Sequence, residues 1–135
     1  MANLHIAYIA GLLDGEGTVA INQSFCKSRT RRYELQVSIV NTWLEPLLGV
    51  KAQHGGSIHS RKNFRFKPIY HWSVGQRAAE GFLRKVLPYL IIKKQRALLA
   101  LDFMEKKYGK PWQKLDAAEL ELRKSYHEQM RKLNS

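Results

Sequence analysis

The stretch Ile9-Ala10-Gly11-Leu12-Leu13-Asp14-Gly15-Glu16-Gly17 decides how this 135-residue chain is read. It is apolar, carries glycines at four-residue spacing, and ends in acids just before a strand-like segment begins. On a helix, Ala7, Gly11 and Gly15 fall on one nearly bare stripe. A bare stripe lets a second helix approach backbone to backbone. Such a pair would bring two Glu16 carboxylates together, and like charges at one point call for a cation. The same residues could instead build a tightly packed N-terminal helix closed by a glycine.

Working outward, the chain has the size of one domain with room for a core. Hydrophobic residues make up 44% and charged residues 25%, the balance of a soluble globular protein. The net charge of +12 points to a polyanionic partner, nucleic acid ahead of a membrane surface. Cys26 is the one cysteine, which excludes an intrachain disulfide and suits a reducing compartment. The Val86–Ile92 run is too short to span a bilayer, and the Ile6–Leu13 run lacks the basic flank of a signal peptide. An intracellular location is therefore expected, with cytoplasm and organelle not distinguished and no membrane as partner.

The placement of charge says more than its sum. Between Gly17 and Ala79 the only acids are Glu34 and Glu45, against ten lysines and arginines. The C-terminal part mixes both signs, as a solvated helix face does. The one-sign middle reads as a polyanion-binding surface.

Periodicity supplies the elements. Leu4–Asp14 reads as a helix closed by Gly15 and Gly17. Thr18–Phe25 reads as a strand with Val19 and Ile21 inward. Arg32–Val40 reads as its antiparallel partner, because Tyr33, Leu35, Val37 and Ile39 alternate with polar residues. A helix over Thr42–Gln53 has Pro46 in its first turn, and His54-Gly55-Gly56 ends it. Ser57–Arg61 and Pro68–Val74 form a second hairpin with Tyr70, Trp72 and Val74 inward. Helices follow over Gln76–Leu87, with Ala78, Ala79, Phe82, Leu83 and Val86 apolar, and over Lys94–Lys107. The last covers Leu115–Leu133, with a stripe of Leu115, Ala118, Leu122, Tyr126, Met130 and Leu133. The order predicts an α+β fold, one four-stranded antiparallel sheet with helices on one face and the polar face left free.

The opening stretch resembles the signature of the LAGLIDADG homing endonucleases. It reads Ile for Leu, then Ala, Gly, Leu, Leu for Ile, Asp, Gly for Ala, Glu for Asp, and Gly. The order of elements is similar to that family's αββαββα core with its saddle-like sheet. The resemblance implies a single domain over residues 1–135, with a core over about 1–108 and an extra helix over about 114–133. It also implies a site-specific double-strand DNA endonuclease, using Mg2+ with Mn2+ or Ca2+ as substitutes for binding, and leaving short 3′ overhangs. One motif copy gives one metal acid per chain, so a two-acid site requires a homodimer. Ala7, Gly11, Asp14 and Gly15 would form its interface. The target would be a long, pseudo-palindromic DNA site.

The resemblance assigns roles residue by residue. Glu16 is the expected metal ligand and catalytic acid, with the Gly15 carbonyl, taken to lie in a tight turn, beside it. Asp14 is its competitor, better suited to interface hydrogen bonds or a cap. Leu87-Pro88-Tyr89-Leu90-Ile91-Ile92-Lys93-Lys94-Gln95-Arg96 is similar to the family's second stretch, which makes Lys93 a catalytic cation. Asn41 would position water, with Thr42 as the other match and a helix cap as the other role. Asn22, Ser24, Lys27, Arg29, Arg32, Gln36, Ser38, Arg61, Arg65, Lys67 and His71 would face DNA, supplying the donors and acceptors that groove edges require. His5, His54, His59 and His127 show no metal-ligand spacing, and Trp43, Trp72 and Trp112 read as core or interface. Two rivals share the fold: an intron maturase acting on its host-intron RNA, and a cleavage-inactive DNA-binding protein.

Overall fold

A computed structural model of the chain describes residues 3–25, 31–63, 66–108 and 117–135. Helix α1 (Ile6–Glu16) leads into strands β1 (Gly17–Phe25) and β2 (Arg31–Asn41). Helix α2 (Leu44–His54) then precedes β3 (Ser57–Asn63) and β4 (Phe66–Gly75). Helix α3 (Gln76–Val86), a 3₁₀ turn at Leu87–Tyr89, α4 (Lys94–Tyr108) and α5 (Ala117–Asn134) complete it. The order is the expected one, with element ends shifted by a few residues at most.

The sheet runs β1-β2-β4-β3, antiparallel throughout. Two hairpins thus lie side by side, with the second strand of each at the centre. Val19 faces Val37, Ile21 faces Leu35, and Ile39 faces Trp72, so the expected inward residues share one face. Val19, Ile21, Tyr33, Leu35, Val37, Ile39, Trp72 and Val74 are buried, and Tyr70 is half-buried against them. Residues two apart on a strand point the same way, so the alternate set of each strand lies on the opposite, helix-free face.

Trp72 is the largest side chain of the core. Its indole N–H donates to the Gly55 carbonyl at 2.8 Å, and its ring meets Phe82 edge-on at 5.0 Å. Gly56 holds φ +91, and a Cβ there would sit 2.6 Å from the Ser73 carbonyl oxygen, so the expected glycine stop after α2 is sterically enforced.

Three sequence expectations are corrected. Gly15 is not in a turn: α1 continues through Glu16, and Gly17 ends it with extended backbone at φ −109 while its N–H donates to the Leu13 carbonyl. Ala78 is exposed and only Ala79 of that pair is buried, because Ala79, Phe82, Leu83 and Val86 already complete a three-and-four spaced stripe. In α5, Ala118 and Leu122 are exposed while Tyr126 and Met130 are buried. Steps of four residues drift around a helix of 3.6 residues per turn, so a stripe written in fours leaves the core at one end. Leu115 and Trp112 lie outside the described residues.

Helix α5 secures β1, which is an edge strand. The His127 imidazole meets the Ile21 carbonyl oxygen at 2.5 Å, which requires a donating Nδ1–H. Asn134 Nδ2 donates to the Val19 carbonyl at 2.9 Å. Two main-chain acceptors of β1 are thereby satisfied by side chains of α5.

Candidate active site and nucleic-acid interface

The signature ends where three segments converge. The Asp14 carboxylate accepts the backbone N–H of Ile91 at 2.8 Å and of Lys93 at 3.0 Å. It thus ties the turn before α4 to the last turn of α1, across 77 or more residues of sequence. Burial works against the ionised form of Asp14. The amides of Ile91, Lys93 and Ile92 and the Lys93 charge outweigh it, and its pKa lies below the ordinary 3.8. Its carboxylate is thus engaged with the turn before α4.

Lys93 is half-buried, and its Nζ donates to the Asp14 carbonyl at 2.5 Å. Burial pushes its pKa below the ordinary lysine value, and Arg96 adds to the push. Asp14 and Glu16 act in the opposite direction, so Glu16 lies within electrostatic reach of the ammonium. Glu16 itself is exposed, as the last residue of α1. A carboxylate gains nothing from the dipole at a helix C-terminus, so its setting favours a cation.

Asn41 ends β2 two residues beyond the partner of Gly17, at the same end of the sheet as Glu16. Its Oδ1 accepts the Trp43 N–H at 3.0 Å, closing the turn into α2. The side-chain oxygen is therefore engaged in a turn, and the helix cap considered for Asn41 is not made: Trp43 occupies the cap position of α2, with no side-chain cap hydrogen bond. Trp43 is 69% exposed and does not join the core.

Ala7, Gly11 and Gly15 are all exposed along α1. A Cβ at Gly11 or Gly15 would meet no atom within 4 Å. The bare stripe exists and faces away from the rest of the chain. Among the described residues no three His, Cys, Asp or Glu side chains gather where they could hold a metal ion.

The helix-free face of the sheet carries the expected polar set. Register puts Asn22 and Ser24 of β1 opposite Glu34 and Arg32, and Ser38 of β2 opposite Ser73 of β4. Asn22 Nδ2 donates to Gln36 Oε1 at 2.6 Å, which fixes both amides. Arg32 lies 3.9 Å from Glu34, the one acid of this face among the described residues. Arg61 and exposed Lys67 follow the same phase on β3 and β4. Lys27, Arg29 and Arg65 lie outside the described residues.

Sequence reasoning passed over two residues here. His59 faces His71 directly across β3 and β4, and Ser73 faces Ser57. His59, His71 and Ser73 line a shallow depression of about 380 Å³ together with Gln36, Ser38, Ser60 and Arg61. The signal was the alternation Ser57, His59, Arg61, which puts His59 in phase with an expected DNA-facing arginine.

This architecture is the LAGLIDADG homing endonuclease fold. No family model and no curated protein matches the sequence. Solved structures do. The chain is similar to the homing endonuclease I-CvuI in complex with its target, with a TM-score of 0.77 at 20% identity, over 95% of this chain and 80% of that one. It is similar to the archaeal intron-encoded homing endonuclease I-Vdi141I complexed with DNA, with a TM-score of 0.77 at 21% identity, over 95% and 82%. The LAGLIDADG homing endonuclease I-GzeII, in complex with its DNA target, gives a TM-score of 0.75 at 18% identity, over 93% of this chain and 44% of that one. No described helix is long and apolar enough to cross a membrane.

Proposed function

We propose that this chain is a site-specific double-strand DNA endonuclease of the LAGLIDADG family, acting as a homodimer with a divalent metal ion. One observation carries the reading. The open glycine stripe of α1 ends at an exposed carboxylate that lies within electrostatic reach of a half-buried lysine. In this fold, two copies joined along that stripe would set two Glu16 residues and two Lys93 residues about one axis.

The donors fit a hard cation. The Glu16 carboxylate and the terminal carbonyls of α1, Gly15 among them, are oxygen ligands, which Mg2+ and Ca2+ prefer. One chain supplies one such carboxylate, and the second would come from the partner copy. I-CvuI has been crystallised with Ca2+ and with Mg2+ present. When bound, the ion supplies Lewis-acid polarisation of the scissile phosphate and activates water.

The chain's own residues do the rest. Glu16 holds the ion. Lys93, anchored to the Asp14 carbonyl, offers a fixed positive charge to the phosphate as negative charge builds. Asn41 would be the residue that positions water, with Nδ2 as its free side-chain group. The polar face supplies groove contacts, with Asn22, Gln36, Ser38, Arg61, Lys67 and His71 nearest the base edges and Arg32 nearer the backbone. Lys27, Arg29 and Arg65 would add phosphate contacts. I-GzeII is more than twice as long as the part this chain covers, whereas this chain carries one motif, which supports pairing of two chains. The domain is read as a core over about 1–108 with α5 added to it.

The test is cleavage of a randomised duplex library with Mg2+, selecting cut molecules. Wild type should yield a pseudo-palindromic consensus. Glu16→Gln should bind that consensus as tightly while cutting at least ~10³-fold more slowly. A variant that cuts at the wild-type rate overturns the mechanism. A wild-type protein that binds the library but never cuts it overturns the endonuclease reading.

A further inference from the structure

We propose that His59 and His71 form a protonation-coupled DNA contact, so that binding a duplex takes up protons at this pair. The inference rests on reading the polar face as the DNA interface. Its own basis is the register, which sets the two residues directly opposite each other on adjacent antiparallel strands, with both side chains lining one depression.

The surroundings leave the pair uncompensated. Neither imidazole is hydrogen-bonded to another described residue. On β2, the neighbouring residues of this face are Gln36, Ser38 and Val40, none of them charged. On β3 the neighbours are Ser57 and the cation Arg61, and on β4 they are Ile69 and Ser73, with the cation Lys67 beyond. The described β1 residues of this face, Thr18, Ala20, Asn22 and Ser24, carry no charge. Glu34, the one acid, lies beyond Gln36 and is engaged with Arg32 at 3.9 Å. No described helix covers this side of the sheet.

Like charges directly opposite each other on a sheet are unfavourable. In the free protein the charged neighbours on their own strands are the cations Arg61 and Lys67. A duplex laid on the face reverses the balance, because its phosphates surround the same rings with negative charge. Imidazole is the side chain whose ordinary charge change falls between about pH 5 and 8. Linkage then gives the sign. A group that binds protons more tightly in the complex makes the complex stronger as pH falls, by up to about tenfold per pH unit for each proton taken up.

Binding of a labelled random-sequence duplex pool at fixed salt, from about pH 5.5 to 8.5, reads this directly. Wild type should lose affinity as pH rises. Titration calorimetry in two buffers of different ionisation enthalpy should show proton uptake on binding. The double variant His59→Gln, His71→Gln should show a reduced pH slope and a reduced proton uptake, whatever its affinity at high pH. Arg61→Gln should weaken binding at every pH and keep the slope. If the double variant retains the full wild-type slope and uptake, the proposal is wrong. A pH-independent wild type overturns the proposal alone. A wild type that binds no duplex at any pH overturns the DNA reading beneath it.

Discussion

The two faces of α1 are made of similar residues and do opposite things. The inner face packs Ile9, Ala10 and Leu13 completely out of solvent, and Gly17 at its end has no room to grow. A Cβ on Gly17 would sit 2.7 Å from the Leu13 carbonyl oxygen and 2.9 Å from that of Ser38. The outer face presents Ala7, Gly11 and Gly15 to open space. Glycine inside a helix costs roughly 1 kcal/mol relative to alanine. Gly17 lies just past the helix and is held small by its contacts, whereas Gly11 and Gly15 lie inside α1 and the chain's own packing does not repay that cost there. The proposed dimer would give Gly11 and Gly15 their use.

Substituting the crowded end tests this contrast most severely. Gly17→Ala forces either α1 or β2 to move, since two of its three close contacts are backbone. Overpacking of this kind should cost about 2–3 kcal/mol. Urea unfolding should show a lower midpoint with an unchanged slope. A Gly17→Ala protein as stable as wild type would erase the distinction between the two faces.

Asp14 sits between the faces and tests whether the end of α1 is held by charge. Asp14→Asn keeps the shape and removes the charge that accepts the Ile91 and Lys93 amides. It should cost about 1–2 kcal/mol at neutral pH. The folded pKa lies below the ordinary 3.8, so the stabilisation is full above that value and is lost as pH falls through the lowered one. The gap between wild type and Asp14→Asn should therefore close only in acid. A gap that stays constant down to the acid transition would assign the effect to packing.

Local pattern made part of this legible in the sequence, and long-range pairing hid the rest. Tyr33, Leu35, Val37 and Ile39 were readable because a half-buried strand alternates with period two. The α1 stripe was readable because four-residue spacing marks a helix face. Asp14 was not assignable to one role, since its partners lie 77 and 79 residues away. His59 was passed over for a similar reason. Its significance depends on the register with His71, which the loop between β3 and β4 sets and composition does not. The role of α5 depended on His127 and Asn134 reaching β1 from more than a hundred residues away.

The outer face gives the smallest effect on the chain and the most discriminating one. Gly11→Leu places a side chain where nothing stands within 4 Å, so the chain by itself has no reason to resist it. Leucine is the better helix former, and the isolated chain should gain about 0.8 kcal/mol. The same side chain would hold a second α1 away from the stripe. Analytical ultracentrifugation should then show a folded monomer where wild type sediments as a dimer, with cleavage lost alongside. A variant that is more stable and still dimeric would keep the comparison of the two faces and move the dimer contact elsewhere. A variant that is less stable would show that the open face already has a use within the chain.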